Sequence, residues 1–367
     1  GMAPLALFLK QADCRVTGDD DNFHPRVHQL LLDNGVELSQ QIDLQSVDGV
    51  IYSNALGAAH PALKAAVGIG ASTMRRGEFL ATLSNRFKTI AVAGSHGKTT
   101  TCGMLIYALK HAGFSSNYIL GGLFSDNELL PGNYTEGCPW LIIEVDESDG
   151  SIQSFEPTVS LLVNVDWDHA DFYRTKGKCI ATFQGIINRT REHVFLNQSC
   201  QNSTELELEG IQATIHTFGE GGNAQLLKFQ DKTMTLGGAL PSCSLPVPFE
   251  EPFNLQNALA ALSVVHFLIA DLSSSLLEGF PGLWRRQEVL YEVDGFCILE
   301  DYGHHPTEID RLFEALRLRK GPLIVVFQPH RFSRTLQFKL DFAEVLSKAD
   351  QVIFMEVYSA GEAPLEG

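Results

Sequence analysis

The 367-residue chain is long enough for two or three domains, and 44% apolar with 19% charged residues is the balance of an ordinary globular protein. A net charge of −17 argues against nucleic acid or an anionic membrane as partner, and no uninterrupted apolar run reaches the ~18 residues of a membrane span. Seven scattered cysteines with no CxxC pair, and no basic-then-apolar leader, point to reduced thiols in a cytoplasm rather than a disulfide frame or zinc site.

In chain order, "GMAPLALFLKQADCRVTGDDD" reads as a helix followed by a strand, as though an initial strand and glycine loop stood before it. Strands are predicted at "DGVIYSNA", "KTIAVAG", "WLIIEVDE", "VSLLVNVD", "GFCILEDY", "GPLIVVFQPH" and "ADQVIFMEVY", separated by helix-period segments. Their continuous apolar character predicts parallel strands covered on both faces, hence an α/β fold. "LSNRF" marks a first boundary, which gives domains 1–86, 87–284 and 285–367 with "EGFPGLWRRQE" as the second hinge. The stretch from Glu205 to Pro252, rich in Gly, Pro and Ser, reads as short strands and turns inserted at the edge of the central domain. The final "YSAGEAPLEG" follows a strand closely, with few elements for a closed third domain.

Ligands of open parallel sheets gather beyond the carboxyl ends of strands, and the most informative end is "AGSHGKTTT". Gly94 and Gly97 permit close backbone approach, Lys98 reaches β/γ-phosphate oxygens, and Thr99 offers a hydroxyl to Mg²⁺. Ser95, His96 and Thr100 complete the loop and the helix start. Val92 stands where the strict G-x-x-x-x-G-K-[ST] pattern has glycine, so the loop is a shortened variant.

A nucleotide held this way needs a carboxylate on a neighbouring strand. "WLIIEVDESDGS" supplies Glu144 first after the apolar run; Asp146, Glu147 and Asp149 are read as a solvated turn or helix cap. "NVDWDHADFY" supplies His169 between Asp168 and Asp171, either a metal ligand or a hydrogen-bonded turn residue. Asn254 and Asn257 in "FNLQNALAAL" share one helix face, toward adenine or, for Asn254, as an N-cap. Trp284 is read as core. "DYGHHPTE" and "QPHRFSRT" offer Tyr302, His304, His305, His330, Arg331 and Arg334. Arg331 or Arg334 suits bidentate capture of a carboxylate and His304 suits removal of an ammonium proton; the alternative is structural pairing with Asp301 and Glu308.

"AVAGSHGKTTT", "EVDESDGS" and "NVDWDHADFY" resemble the ATPase domain of the Mur ligases, which build the peptide stem of bacterial cell walls. "TGDDD", "VIYSNAL" and "RRGEFLATL" resemble that family's UDP-sugar domain, and "EDYGHHPTEI" with "QPHRFSRT" narrows the likeness to its alanine-adding branch. The resemblance implies a three-domain α/β enzyme: a Rossmann-like UDP-binding domain, a P-loop ATPase with a mostly parallel sheet, and a Rossmann-like amino-acid domain. It implies that ATP drives the joining of L-alanine to the lactyl carboxylate of UDP-N-acetylmuramate through an acyl phosphate, in peptidoglycan precursor synthesis, by a monomer or homodimer. Carried over, Lys98 holds phosphates, Thr99 and Glu144 bind one Mg²⁺, Glu144 and His169 a second, Asn254 and Asn257 lie near adenine, and Arg285 and Arg286 are the hinge arginines. Phe253 replaces a histidine usual before Asn254, Gln287 replaces a phenylalanine usual after the arginine pair, and the insertion before Phe253 is compact. A small-molecule kinase, a folylpolyglutamate-type ligase and a non-catalytic nucleotide binder are the competing classes.

Overall fold

The computed structural model describes residues 1–20, 22–39, 43, 46–56, 60–167, 172–173, 175–317, 319, 321–360 and 362–365. The chain begins with α1 (Met2–Gln11), β1 (Thr17–Gly18), α2 (Pro25–Asp33), β2 (Glu37–Leu38), β3 (Gly49–Tyr52), α3 (Pro61–Gly68), β4 (Ser72–Arg75) and α4 (Arg76–Ser84). β1 pairs with β2 and β3 with β4, both in parallel. α2 starts where a helix should: Pro25 occupies its first turn and the His24 ring accepts a hydrogen bond from the Arg26 N–H at 3.2 Å.

The middle of the chain runs β5 (Lys88–Ala93), α5 (Lys98–His111), β6 (Asn117–Ile119), β7 (Gly132–Asn133), β8 (Trp140–Glu144), β9 (Val159–Leu162), α6 (Lys176–Arg189), β10 (His193–Asn197), β11 (Thr214–Phe218), β12 (Ala224–Gln230), β13 (Thr233–Gly238), β14 (Ser244–Pro246) and α7 (Pro252–Ile269). These strands form one ten-stranded sheet in the order β14-β13-β12-β11-β10-β9-β5-β8-β6-β7. Its heart is parallel; at one edge β13 runs antiparallel to β12 and β14 to β13, and at the other β7 runs antiparallel to β6. Alternation along β5 explains the two cores. Ile90 and Val92 face α5 and α7, while Ala91 and Ala93 face α6, with Phe183, Ile186 and Ile187 beneath them. α7 has the length and apolar composition of a membrane-crossing helix, but it packs on α5 and is a core helix with Leu255 to Val265 largely buried.

The last part contains β15 (Glu288–Val293), β16 (Phe296–Glu300), α8 (Pro306–Leu316), β17 (Ile324–Phe327), α9 (Phe332–Gln337), α10 (Lys339–Leu346) and β18 (Gln351–Phe354). Here the expectation of doubly covered parallel strands needs correction. "GFCILEDY" is β16, antiparallel to β15 across a tight Asp294-Gly295 turn, and Phe296 is 55% exposed. β17 and β18 are parallel and pack on Phe313, Phe342 and Val345, while Val326 is 65% exposed.

Candidate active site

β5 lies between β8 and β9, so the segments following these three strands are neighbours at one end of the sheet. Gly94 adopts φ 144°, and a Cβ there would stand 3.0 Å from the Asn164 nitrogen. Gly97 adopts φ 75° as the residue capping α5, and a Cβ would stand 2.7 Å from Asn257 Oδ1. Both positions therefore demand glycine. The loop is clipped to the end of β9. His96 N–H donates to Asn164 Oδ1 (2.9 Å), Asn164 Nδ2 donates to the His96 carbonyl (2.8 Å), and Ser95 Oγ donates to the Asp166 carbonyl (2.7 Å).

Lys98 donates to the carbonyls of Gly94 (2.6 Å) and Ser95 (3.2 Å) and pairs with Glu147 at 2.9 Å. Glu147 is the second correction. It is no solvated turn acid: its side chain is 1% exposed and tied to the phosphate-loop lysine. Burial pushes its carboxyl up to about 7 against the pull of Lys98. Burial opposes the charge on Lys98, but Glu147, Asp146 and Glu144 outweigh it and hold the ammonium protonated. Asp146 and Asp149 do behave as turn residues, accepting from the Ser148 and Ser151 N–H groups.

Glu144 ends β8 with its Oε2 buried and, among the described residues, without a hydrogen-bond partner. It lies against Gly121, where a Cβ would stand 2.0 Å from that oxygen; at Gly122 a Cβ would meet Thr99 Cγ2 at 3.0 Å. His169, with Asp168 and Asp171, lies outside the described residues. No group of three or more His, Cys, Asp or Glu gathers as a metal site among the described residues. An orphaned carboxylate oxygen near a threonine and a phosphate loop nonetheless suits Mg²⁺, which takes one or two carboxylates and completes its shell with phosphate oxygens and water.

Asn257 is buried beside Gly97, and Asn254 donates to Glu251 Oε2 at 3.1 Å. Asn254 is not the N-cap; Glu251 holds that place, with Pro252 first in the helix. Trp284 packs edge-on to His24 (4.7 Å between centroids), with Arg26 over its face at 5.4 Å.

A second group of side chains gathers around Tyr302. Arg285 and Arg286 stand over the Tyr302 ring at 5.4 and 5.2 Å. Tyr302, His304 and His330 follow one another at ring separations of 5.3 and 5.7 Å. His304 Nδ1 lies 2.9 Å from the Tyr302 carbonyl. A carbonyl only accepts, so Nδ1 carries a proton. Burial, then Arg334 and Arg331, depress His330 to about 4, so its imidazole is neutral at pH 7. Arg331 adopts φ 70° at the start of α9, and Arg334 in that helix is buried. His305 caps α8, its ring accepting from the Thr307 N–H at 3.3 Å. Asp301 accepts from the N–H groups of Gly303 (2.6 Å) and Gln287 (2.9 Å).

The two groups meet at His96. Its Nδ1 lies 3.2 Å from Glu308 Oε1 and its Nε2 3.9 Å from Asp166 Oδ2, which Arg311 also approaches at 3.9 Å. Sequence reasoning missed Asn164 and Asp166 as supports of the loop. Glu308 entered the sequence reading only as a structural pairing partner for the histidines and arginines of its own segment.

Three family models match in succession: "Mur ligase family, catalytic domain" over 1–88, "Mur ligase middle domain" over 92–265, and "Mur ligase, glutamate ligase domain" over 285–366. The UDP-N-acetylmuramate–L-alanine ligase of Synechococcus sp. (strain JA-3-3Ab) is 35% identical over all of this chain and 73% of its own length. That of Thermosynechococcus vestitus is 34% identical over 99% of this chain and 80% of its own. The chain belongs to the Mur ligase family. Among solved structures, the UDP-N-acetylmuramate–alanine ligase of Thermotoga maritima superposes with a TM-score of 0.79 at 26% identity, over 97% of this chain and 83% of that one. A murein peptide ligase of Psychrobacter arcticus shares the fold, with a TM-score of 0.74 at 19% identity over 98% of this chain and 93% of that one. In this Mur ligase the contact between His96 and Glu308 joins the middle-domain match to the glutamate-ligase-domain match.

Proposed function

We propose that this Mur ligase joins L-alanine to the lactyl carboxylate of UDP-N-acetylmuramate at the expense of ATP, within the cytoplasm, with its domains dividing near residues 87 and 285. The observation that carries the reading is the meeting of a glycine-built phosphate loop with a wall of histidines and arginines across His96 and Glu308. Similarity over the whole of this chain to enzymes named for this reaction supports it.

A carboxylate resists attack by an amine because oxide is a poor leaving group. Phosphoryl transfer to it gives an acyl phosphate, which the alanine amine attacks through a tetrahedral intermediate, expelling phosphate. Two anions must first approach, and at ~4 Å like charges repel by ~4 kcal/mol at an effective dielectric near 20. Lys98 offsets that repulsion once it leaves Glu147 for the phosphates, and the backbone of residues 94 to 100 wraps them. Thr99, Glu144 and His169 would hold Mg²⁺, which supplies further charge neutralisation when bound. Asn254 and Asn257 would lie toward adenine. Arg331 or Arg334 would grip the alanine carboxylate, with Arg285 and Arg286 fixing Tyr302 behind it. His304 Nε2 would take the ammonium proton.

The test is ADP release with each substrate omitted in turn. Strict dependence on both UDP-N-acetylmuramate and L-alanine is expected. ADP formed without the amine indicates a kinase, and nucleotide binding without turnover in the complete mixture overturns the reading.

A further inference from the structure

Glu308 occupies the third position of α8, where a glutamate ordinarily closes a capping box by accepting from the N-cap N–H. Here its Oε2 accepts from the N–H groups of both His304 (3.1 Å) and His305 (3.4 Å). Its Oε1 is left over for another partner and reaches His96 Nδ1 at 3.2 Å, in the phosphate loop. Burial works against the charge on Glu308, but His96, His304 and Arg286 outweigh it and hold the carboxyl well below the usual range. The group is therefore an anion that binds two donor sets at once. One is the turn carrying His304. The other is a loop residue whose own N–H and carbonyl are fixed by Asn164.

We propose that Glu308 is a positioning residue, which uses its two oxygens to set the His304 turn against the phosphate loop and so places the amine-binding side chains over the site of acyl phosphate formation. The inference rests on the ligase reading given above. Closing a helix start needs only one oxygen, and glutamine does it as well as glutamate. The bond to His96 needs an acceptor, which the amide nitrogen of glutamine does not offer to an N–H donor. Glu308→Gln therefore separates the two roles.

The experiment compares wild type, Glu308→Gln, His96→Ala and the double variant by thermal melting and by kcat/KM for L-alanine at saturating ATP and UDP-N-acetylmuramate. For Glu308→Gln we expect a melting temperature close to wild type and a fall of roughly tenfold or more in kcat/KM for L-alanine, with KM for ATP little changed. His96→Ala should lower kcat/KM for L-alanine as well, and the double variant should be no worse in that constant than the worse single one, because both remove one link. Wild-type kcat/KM in folded Glu308→Gln overturns the inference, as do effects that simply multiply in the double variant. Turnover by wild type with an indifferent Glu308→Gln removes this inference alone; a wild-type chain without alanine-dependent ADP release removes the ligase reading and this inference together.

Discussion

Gly121→Ala is a local probe of Glu144, the carboxylate proposed to serve the metal. Gly121 is not among the left-handed glycines, so its backbone accepts alanine. The added methyl would fall 2.0 Å from Glu144 Oε2 and 2.5 Å from its Cδ, where ordinary contact begins at 3.4 Å. Glu144 Oε2 must therefore retreat by about 1.4 Å, the difference between those two separations. A carboxylate at the end of a flexible side chain retreats cheaply, so the variant should melt near wild type. Misplacement by about 1 Å in an active site can cost ~10²-fold in rate, or about 2.7 kcal/mol of transition-state stabilisation. The assay is ADP release at saturating substrates across a Mg²⁺ titration. The expected result is a fall of about that size in kcat with a higher half-saturating Mg²⁺ concentration. A folded Gly121→Ala with wild-type kcat and wild-type Mg²⁺ dependence would show that Glu144 does not serve the metal.

Lys98→Met should abolish turnover and also strand Glu147 without its cation, a loss of up to about 3–5 kcal/mol for a broken buried pair. Lys98→Met with Glu147→Gln should recover part of that in a urea titration; a double variant no more stable than the single one contradicts the pairing. His330 is held at about 4 against an ordinary 6.5, so the folded state resists its protonation. Its contribution to stability is full above about 6.5 and is lost as pH falls through about 4. His330→Gln should therefore flatten stability against pH across that window, and an unchanged slope in urea midpoints counts against the burial argument. Gly177 sits in α6 with open space where a Cβ would go, so Gly177→Ala should stabilise by about 0.5–1 kcal/mol without altering activity, as read by melting.

The buried parallel strands were legible because strands covered on both faces lose the alternation of a half-solvated sheet, as "TIAVA" and "LLVNV" do. The phosphate loop was legible because its glycines, lysine and threonine are required at fixed spacing. Glu147 was misread because nothing in "EVDESD" distinguishes an acid folded back onto Lys98 from one in water; that depends on how the turn after β8 packs. β16 was misread as a covered parallel strand although Asp294-Gly295 is a hairpin signal, because its apolar residues matched the pattern of the central strands. The role of Asn164 was hidden because its partner, His96, is far away in sequence and the two touch only once β5 and β9 pair.

The margins of the ten-stranded sheet are worth following outward. One ends in β14, three residues long and finishing in Pro246, which has no N–H to lend. The other ends in β7, two residues long, overlaid by α1 so closely that a Cβ on Gly132 would strike the Pro4 carbonyl at 2.0 Å. Neither rim presents the long ribbon of unpaired peptide groups onto which a stranger's strand could zip. A wide catalytic platform is thereby kept from becoming a seed for polymerisation, and lengthening β14 or dislodging α1 should make its rims sticky.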